Sequence, residues 1–130
     1  GDGCYHVAVD KGVLSPNGLT FGADEFVQSF FNLQSYRQNN PSIAWDEANG
    51  VYIALNEVVF DPVRKSGIFL TKSTNNGQTC GPLQSIDNDA KTAEKDYASI
   101  AVDESGRAFA VWTDARGGTS GNYVWFAQGE

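Results

Sequence analysis

The 130-residue sequence has no methionine, one histidine and two cysteines. The single imidazole rules out a histidine-rich metal centre, and no metal is expected. Cys4 and Cys80 lie far apart and form no metal-ligand spacing, which leaves a disulfide and two separate buried thiols equally open. The missing methionine implies a processed chain or a piece of a longer one. No apolar run approaches the ~20 residues of a membrane-spanning helix, so no span is expected. Positive charge is also scarce. Nine Lys and Arg stand against sixteen Asp and Glu, a net charge of −7, with no basic stripe to meet phosphates, so nucleic acid is not an expected partner. The sequence has no Gly-x-Ser-x-Gly elbow, no phosphate-binding glycine loop and no histidine placed as a base. No cofactor is expected.

What remains is enough for one core. Hydrophobic residues make up 41% and aromatic residues 12% of the chain. Fourteen glycines and abundant Asn, Ser and Thr suit a secreted, extracellular or periplasmic β-rich protein.

Self-similarity organises the sequence. "NNPSIAWDEANGVYIALNE" from Asn39 matches "DYASIAVDESGRAFAVWTD" from Asp96, with Ser42, Ile43 and Ala44 falling on Ser99, Ile100 and Ala101 at an offset of 57 residues. A one-residue gap then aligns Gly50 with Gly106, Ile53 with Phe109 and Ala54 with Ala110, at an offset of 56. Upstream, "EFVQSF" at Glu25 matches "GPLQSI" at Gly81, and "LSPNGLTF" at Leu14 reads as a shortened "KSTNNGQTC". "NYVWFA" takes the place of "GIFLTK". Each unit reads as short alternating strands joined by Asn-Gly or Ser-Gly turns, whose residues accept positive φ. One segment, "DEFVQSFFNLQ", also fits a short helix. The expected fold is all-β, with antiparallel four-stranded blades of a β-propeller that is incomplete in one chain. A partial blade is expected at 1–30, a full blade at 39–86 and a partial blade at 96–130.

The stretch "STNNGQTC" resembles the Asp box of sialidase-like repeats, Ser-x-Asp-x-Gly-x-Thr-Trp. Ser73, Asn75, Gly77 and Thr79 match it, with Asn replacing Asp and Cys80 in the aromatic position. The "DYASIAVDESGRAFAVWTDARG" segment is similar to the inner strands of blades in that superfamily. The resemblance implies a scaffold turn whose side chains bond its own backbone. For an exo-sialidase it also implies three arginines, a Tyr–Glu nucleophile and an Asp acid drawn from several blades. The chain has four arginines and lacks the Arg-Ile-Pro signature, so those roles map onto no particular residues here.

In such a blade the short turns share one end of the sheet, and the longer connections share the other. The longer ones carry Asp61 with Arg64, Asp114 with Arg116, and Tyr36 with Arg37, above Trp112 at a strand end. Arginine, carboxylate and aromatic groups together suit a carbohydrate, and suit better still ion pairs that pin their own loops. Asp87, Asn88 and Asp89 offer oxygens for calcium but lack the rest of a binding loop. The expected function is a non-catalytic extracellular module that assembles through open blade edges with other copies, or with further blades of a parent chain, and binds a glycan. A fragment of a sialidase-type glycosidase and a purely structural filament subunit are the alternatives.

Overall fold

The computed structural model describes residues 6–28, 30–31, 36–60, 63–88, 90–116 and 123–129. They form eleven strands and no helix, all paired antiparallel. The segment considered as a helix instead contains a short strand. Cys4, Asp61 and Asp89 lie outside the described residues.

A meander of four strands forms the central sheet: β5 (Tyr36–Asp46), β6 (Gly50–Val59), β7 (Lys65–Ser73) and β8 (Gln84–Ser85), in that order across the sheet. Residues 51–59 of β6 are all buried, because both faces of this sheet are covered. On one face, Val51, Ile53, Leu55, Phe69 and Leu83 pack with Val7, Val9 and Val27 of the N-terminal segment. On the other, Tyr52, Ala54 and Ile68 pack with Ala98, Ile100, Ala108, Ala110 and Trp112. These last five belong to a three-stranded sheet of β9 (Lys95–Val102), β10 (Ala108–Asp114) and β11 (Tyr123–Gly129), with β10 in the middle.

The N-terminal segment holds two small pairs. β1 (Ala8–Val9) pairs with β4 (Glu25–Phe26). β2 (Gly12–Ser15) and β3 (Gly18–Phe21) form a hairpin closed by Pro16-Asn17, with every residue of both strands exposed. This hairpin is a ribbon of its own rather than a shortened copy of the later turn.

The central and C-terminal sheets are built to one plan. Each inner strand carries one extra residue at the same place: between Asn39 and Ser42 opposite β6, and between Asp96 and Ser99 opposite β10. Each bulge holds a left-handed residue, Asn40 (φ 48) and Tyr97 (φ 53), at equivalent positions. The following turns are equal in length: Asn49 N bonds Asp46 O, and Gly106 N bonds Asp103 O.

This geometry corrects the gapped alignment. Val51 opposite Trp45 corresponds to Ala108 opposite Val102, so the offset of 57 continues through the second strand. Ala54 is therefore equivalent to Val111, not to Ala110. The distinction matters because a slip of one residue moves every side chain to the other face. The upstream match shifts as well. Val27 N bonds Val7 O just as Ile86 N bonds Ile68 O, so Val27 corresponds to Ile86 rather than to Leu83.

The short-turn end shows how "STNNGQTC" is held. Ser73 Oγ accepts from Gly77 N at 2.9 Å, and Asn75 Oδ1 accepts from Thr79 N at 2.9 Å. Asn75 Nδ2 donates to Thr79 Oγ1 at 2.8 Å. The asparagine thus serves as acceptor for the turn while its amide ties the threonine. Gly77 (φ 81) and Asn76 (φ 59) supply the left-handed backbone. Cys80 follows as a half-buried free thiol packed against the first core. Burial, then the nearby Glu25 charge, raises its pKa, which disfavours the thiolate.

Candidate functional site

The opposite end of the sheets gathers the starts of β5 and β9, the ends of β6 and β10, and the connections before β7 and β9. Here each inner strand forms a buried polar pair with its neighbour. Gln38 stands opposite Glu57, and Lys95 stands opposite Asp114 at the equivalent position.

Both pairs reach back to the preceding sheet. Gln38 Oε1 accepts from Val7 N at 2.9 Å, and Gln38 Nε2 donates to Glu57 Oε2 at 3.0 Å. Glu57 is fully buried and also accepts from the backbone N–H groups of Phe30 and Phe31, at 3.2 and 3.1 Å. Lys95 Nζ donates to Ser66 O at 3.3 Å and Ala93 O at 3.2 Å, and lies 3.4 Å from Asp87 Oδ2. A buried cation and carboxylates left unpaired would be costly, so these groups join the sheets only because they are matched.

Asp114 and Arg116 meet each other. Asp114 Oδ2 accepts from Arg116 Nε at 2.9 Å, from Arg116 Nη2 at 2.6 Å and from Trp112 Nε1 at 3.2 Å. Its Oδ1 accepts from Arg116 N at 2.9 Å. Burial raises the Asp114 pKa, but the Arg116 and Trp112 hydrogen bonds, aided by the Lys95 charge, outweigh it and hold the carboxyl below its ordinary value. Trp112 is 3% exposed, so its ring fills the core and cannot stack on a ligand. Arg116 Nη1 continues to Asn88 Oδ1 at 2.8 Å. Asp87 is clamped by Lys91 at 2.6 Å. Ammonium and guanidinium groups thus occupy the oxygens of Asp87 and Asn88 that the calcium reading required. Among the described residues no cluster of His, Cys, Asp and Glu is arranged to hold a metal.

Arg37 and Arg64 belong to a different feature, an open polar recess of about 320 Å³. Arg37, Asn39, Phe60, Arg64, Glu94 and Asp96 are among its lining residues. The Arg37 guanidinium lies 5.2 Å from the Phe60 ring centre, a cation–π distance. Arg64 Nη2 pairs with Glu94 at 2.5 Å, with both side chains largely exposed. The Arg64 hydrogen bond and then its charge lower the Glu94 pKa. Asn40 Nδ2 and Tyr97 N both donate to Asp96 Oδ1, which joins the two left-handed bulges at the rim. Tyr36 sits apart, its hydroxyl 2.9 Å from His6 Nδ1.

Five of the sequence-derived candidates therefore separate into three places. Arg37 and Arg64 share the recess, Asp114 and Arg116 form a closed pair, and Tyr36 faces His6. Sequence reasoning missed Asn39, Phe60, Glu94 and Asp96, which come from separate segments and carry no shared motif. Asn39 and Asp96 are, however, equivalent repeat positions, and asking which polar residues the repeat places together at one end would have found both. Compared with family models, curated proteins and solved structures, the chain finds no match.

Proposed function

We propose that this chain is a section of a β-propeller-type scaffold acting outside the cell as a non-catalytic module, and that the Arg37–Arg64 recess holds a glycan. The recess carries the reading. It sets a guanidinium on an aromatic ring beside a second arginine, an amide and two carboxylates, where the longer connections converge. Planar donors and acceptors around a half-open polar depression fit the hydroxyls and carboxylate of an acidic sugar. Two face-to-face sheets with one shared register support the blade interpretation. The buried carboxylates Glu57 and Asp114 are taken up by hydrogen bonds within the scaffold, which favours recognition over bond cleavage.

Thermal unfolding with acidic and neutral monosaccharides tests this proposal. An acidic sugar at a hundredfold excess over its dissociation constant is expected to add about 2.7 kcal/mol of stability. Arg64→Ala, at an exposed side chain, is expected to leave the fold intact and remove the shift. No shift with any sugar would refute the glycan assignment. Turnover of a fluorogenic sialoside would instead establish a glycosidase fragment.

A further inference from the structure

Asparagine is followed by glycine at three turns: Asn17-Gly18, Asn49-Gly50 and Asn76-Gly77. Such an asparagine can lose its amide, because glycine has no Cβ to shield its own backbone nitrogen from the asparagine side chain. The glycine nitrogen gives its proton to solvent base and attacks Cγ. The Cγ–Nδ2 bond then breaks, ammonia leaves with a proton from water, and a cyclic imide remains. Water opens the imide at either carbonyl, giving aspartate or isoaspartate, and nothing is oxidised or reduced.

Two of the three turns are held against this step. Gly77 is buried, and its N–H donates to Ser73 Oγ at 2.9 Å. Asn76 is itself left-handed (φ 59), inside a turn that Asn75 ties to Thr79. At the second turn, the Asn49 amide donates to Asp46 Oδ2 and to Glu104 O, the latter at 3.5 Å. Gly50 lies so close to the neighbouring strand that a Cβ there would come within 2.2 Å of Ser73 O, which crowds out the imide ring.

Asn17 has none of these restraints. It is exposed, its bond to Ser15 Oγ at 3.2 Å is made by the backbone N–H, and its side-chain amide has no partner among the described residues. A Cβ built on Gly18 would meet nothing within 4 Å. The β2–β3 side chains lie outside both cores, and a two-stranded ribbon without further support is marginal in water, so it opens more readily than the sheets. We infer that Asn17 is a site of spontaneous deamidation in the folded chain, while the fold protects Asn49 and Asn76. The product carries a new negative charge at the hairpin tip. In the isoaspartyl form the backbone also runs through the side-chain carbon, which lengthens a two-residue turn and disrupts the pairing of Ser15 with Gly18. This depends on neither the glycan reading nor the blade interpretation.

Peptide mapping by mass spectrometry tests the inference, on the folded chain and on the chain in urea, both kept in mildly alkaline buffer. The mass gain left by exchanging ammonia for water marks each event, and each site's folded rate is taken relative to its own rate in urea. That ratio is expected to be about tenfold or more higher for Asn17 than for Asn76, whose glycine N–H is tied in a buried hydrogen bond, and than for Asn49. Asn17→Gln keeps an amide but must close a larger ring, and is expected to abolish the gain in its peptide. Equal ratios at all the sites would overturn the inference, as would a higher ratio at Asn49 or Asn76. An Asn17 that reacts in urea but stays intact in the folded chain would overturn it too. So would a mass gain that persists in the Asn17→Gln peptide.

Discussion

Asp114→Ala is expected to cost about 3–5 kcal/mol, the range for breaking a buried pair from one side. Marginal domains hold only about 5–15 kcal/mol in total, so the variant should be largely unfolded or close to it. The carboxylate is fully buried and accepts four hydrogen bonds, three from Arg116 and one from the Trp112 indole. Its removal strands the indole donor in the core and leaves the buried Lys95 ammonium short of a counter-charge. Urea unfolding measures the loss, and a change below about 1 kcal/mol would mean that the network is incidental. Acid has the same direction of effect. A carboxyl whose folded pKa is lowered stabilises the fold above its unfolded value near ~3.9, and that contribution disappears as pH falls through the folded value. The wild type should therefore lose stability below about pH 4, and Asp114→Ala should show a shallower acid transition. Asp103 shares the sign: hydrogen bonds led by the Ser105 hydroxyl lower its pKa to about 2. It is a surface group and carries little of the effect.

Adjacent substitutions on β10 should differ sharply. Ala110 is 4% exposed and packs between the sheets, whereas Val111 beside it faces outward at 40% exposure. Ala110→Asp places an unpaired charge in the second core and is expected to destabilise by about 4 kcal/mol or more. Val111→Asp should cost about 1 kcal/mol, the span of strand propensities at a solvent-facing position. The alignment with a gap predicts the reverse, since it equates Ala110 with Ala54 and so places Ala110 on the outward face. Chemical denaturation of the two variants decides between the registers.

The repeat was legible in the sequence because Ser-Ile-Ala-x-Asp occurs twice, at equivalent positions of the two inner strands. Its exact register was not. The two turns are equally long, but their left-handed glycines sit one position apart: Gly50 (φ 103) ends its turn, while Gly106 (φ 83) precedes the last residue. Aligning glycine with glycine therefore introduces a gap that the backbone does not contain. The loop residues Asp114 and Arg116 were visible as a pair of opposite charges, and the structure shows them satisfying each other. Glu94 could not be assigned to Arg64, because the two meet only after β7 and β8 have been laid down between them. The buried Gln38–Glu57 and Lys95–Asp114 pairs were equally hidden. They occupy one register position with different chemistry, so no residue pattern marks them. The Asn17-Gly18 turn of the β2–β3 hairpin was legible as a strand-to-strand turn. What its sequence did not show is that both strands would leave all their side chains in solvent.

The most direct test of the recess assignment is calorimetric titration of the wild-type chain and of Arg64→Ala with an acidic and a neutral monosaccharide. A glycan site between Arg37 and Arg64 predicts saturable binding of the acidic sugar by the wild type and none by the variant. No saturable binding of either sugar by the wild type would contradict it.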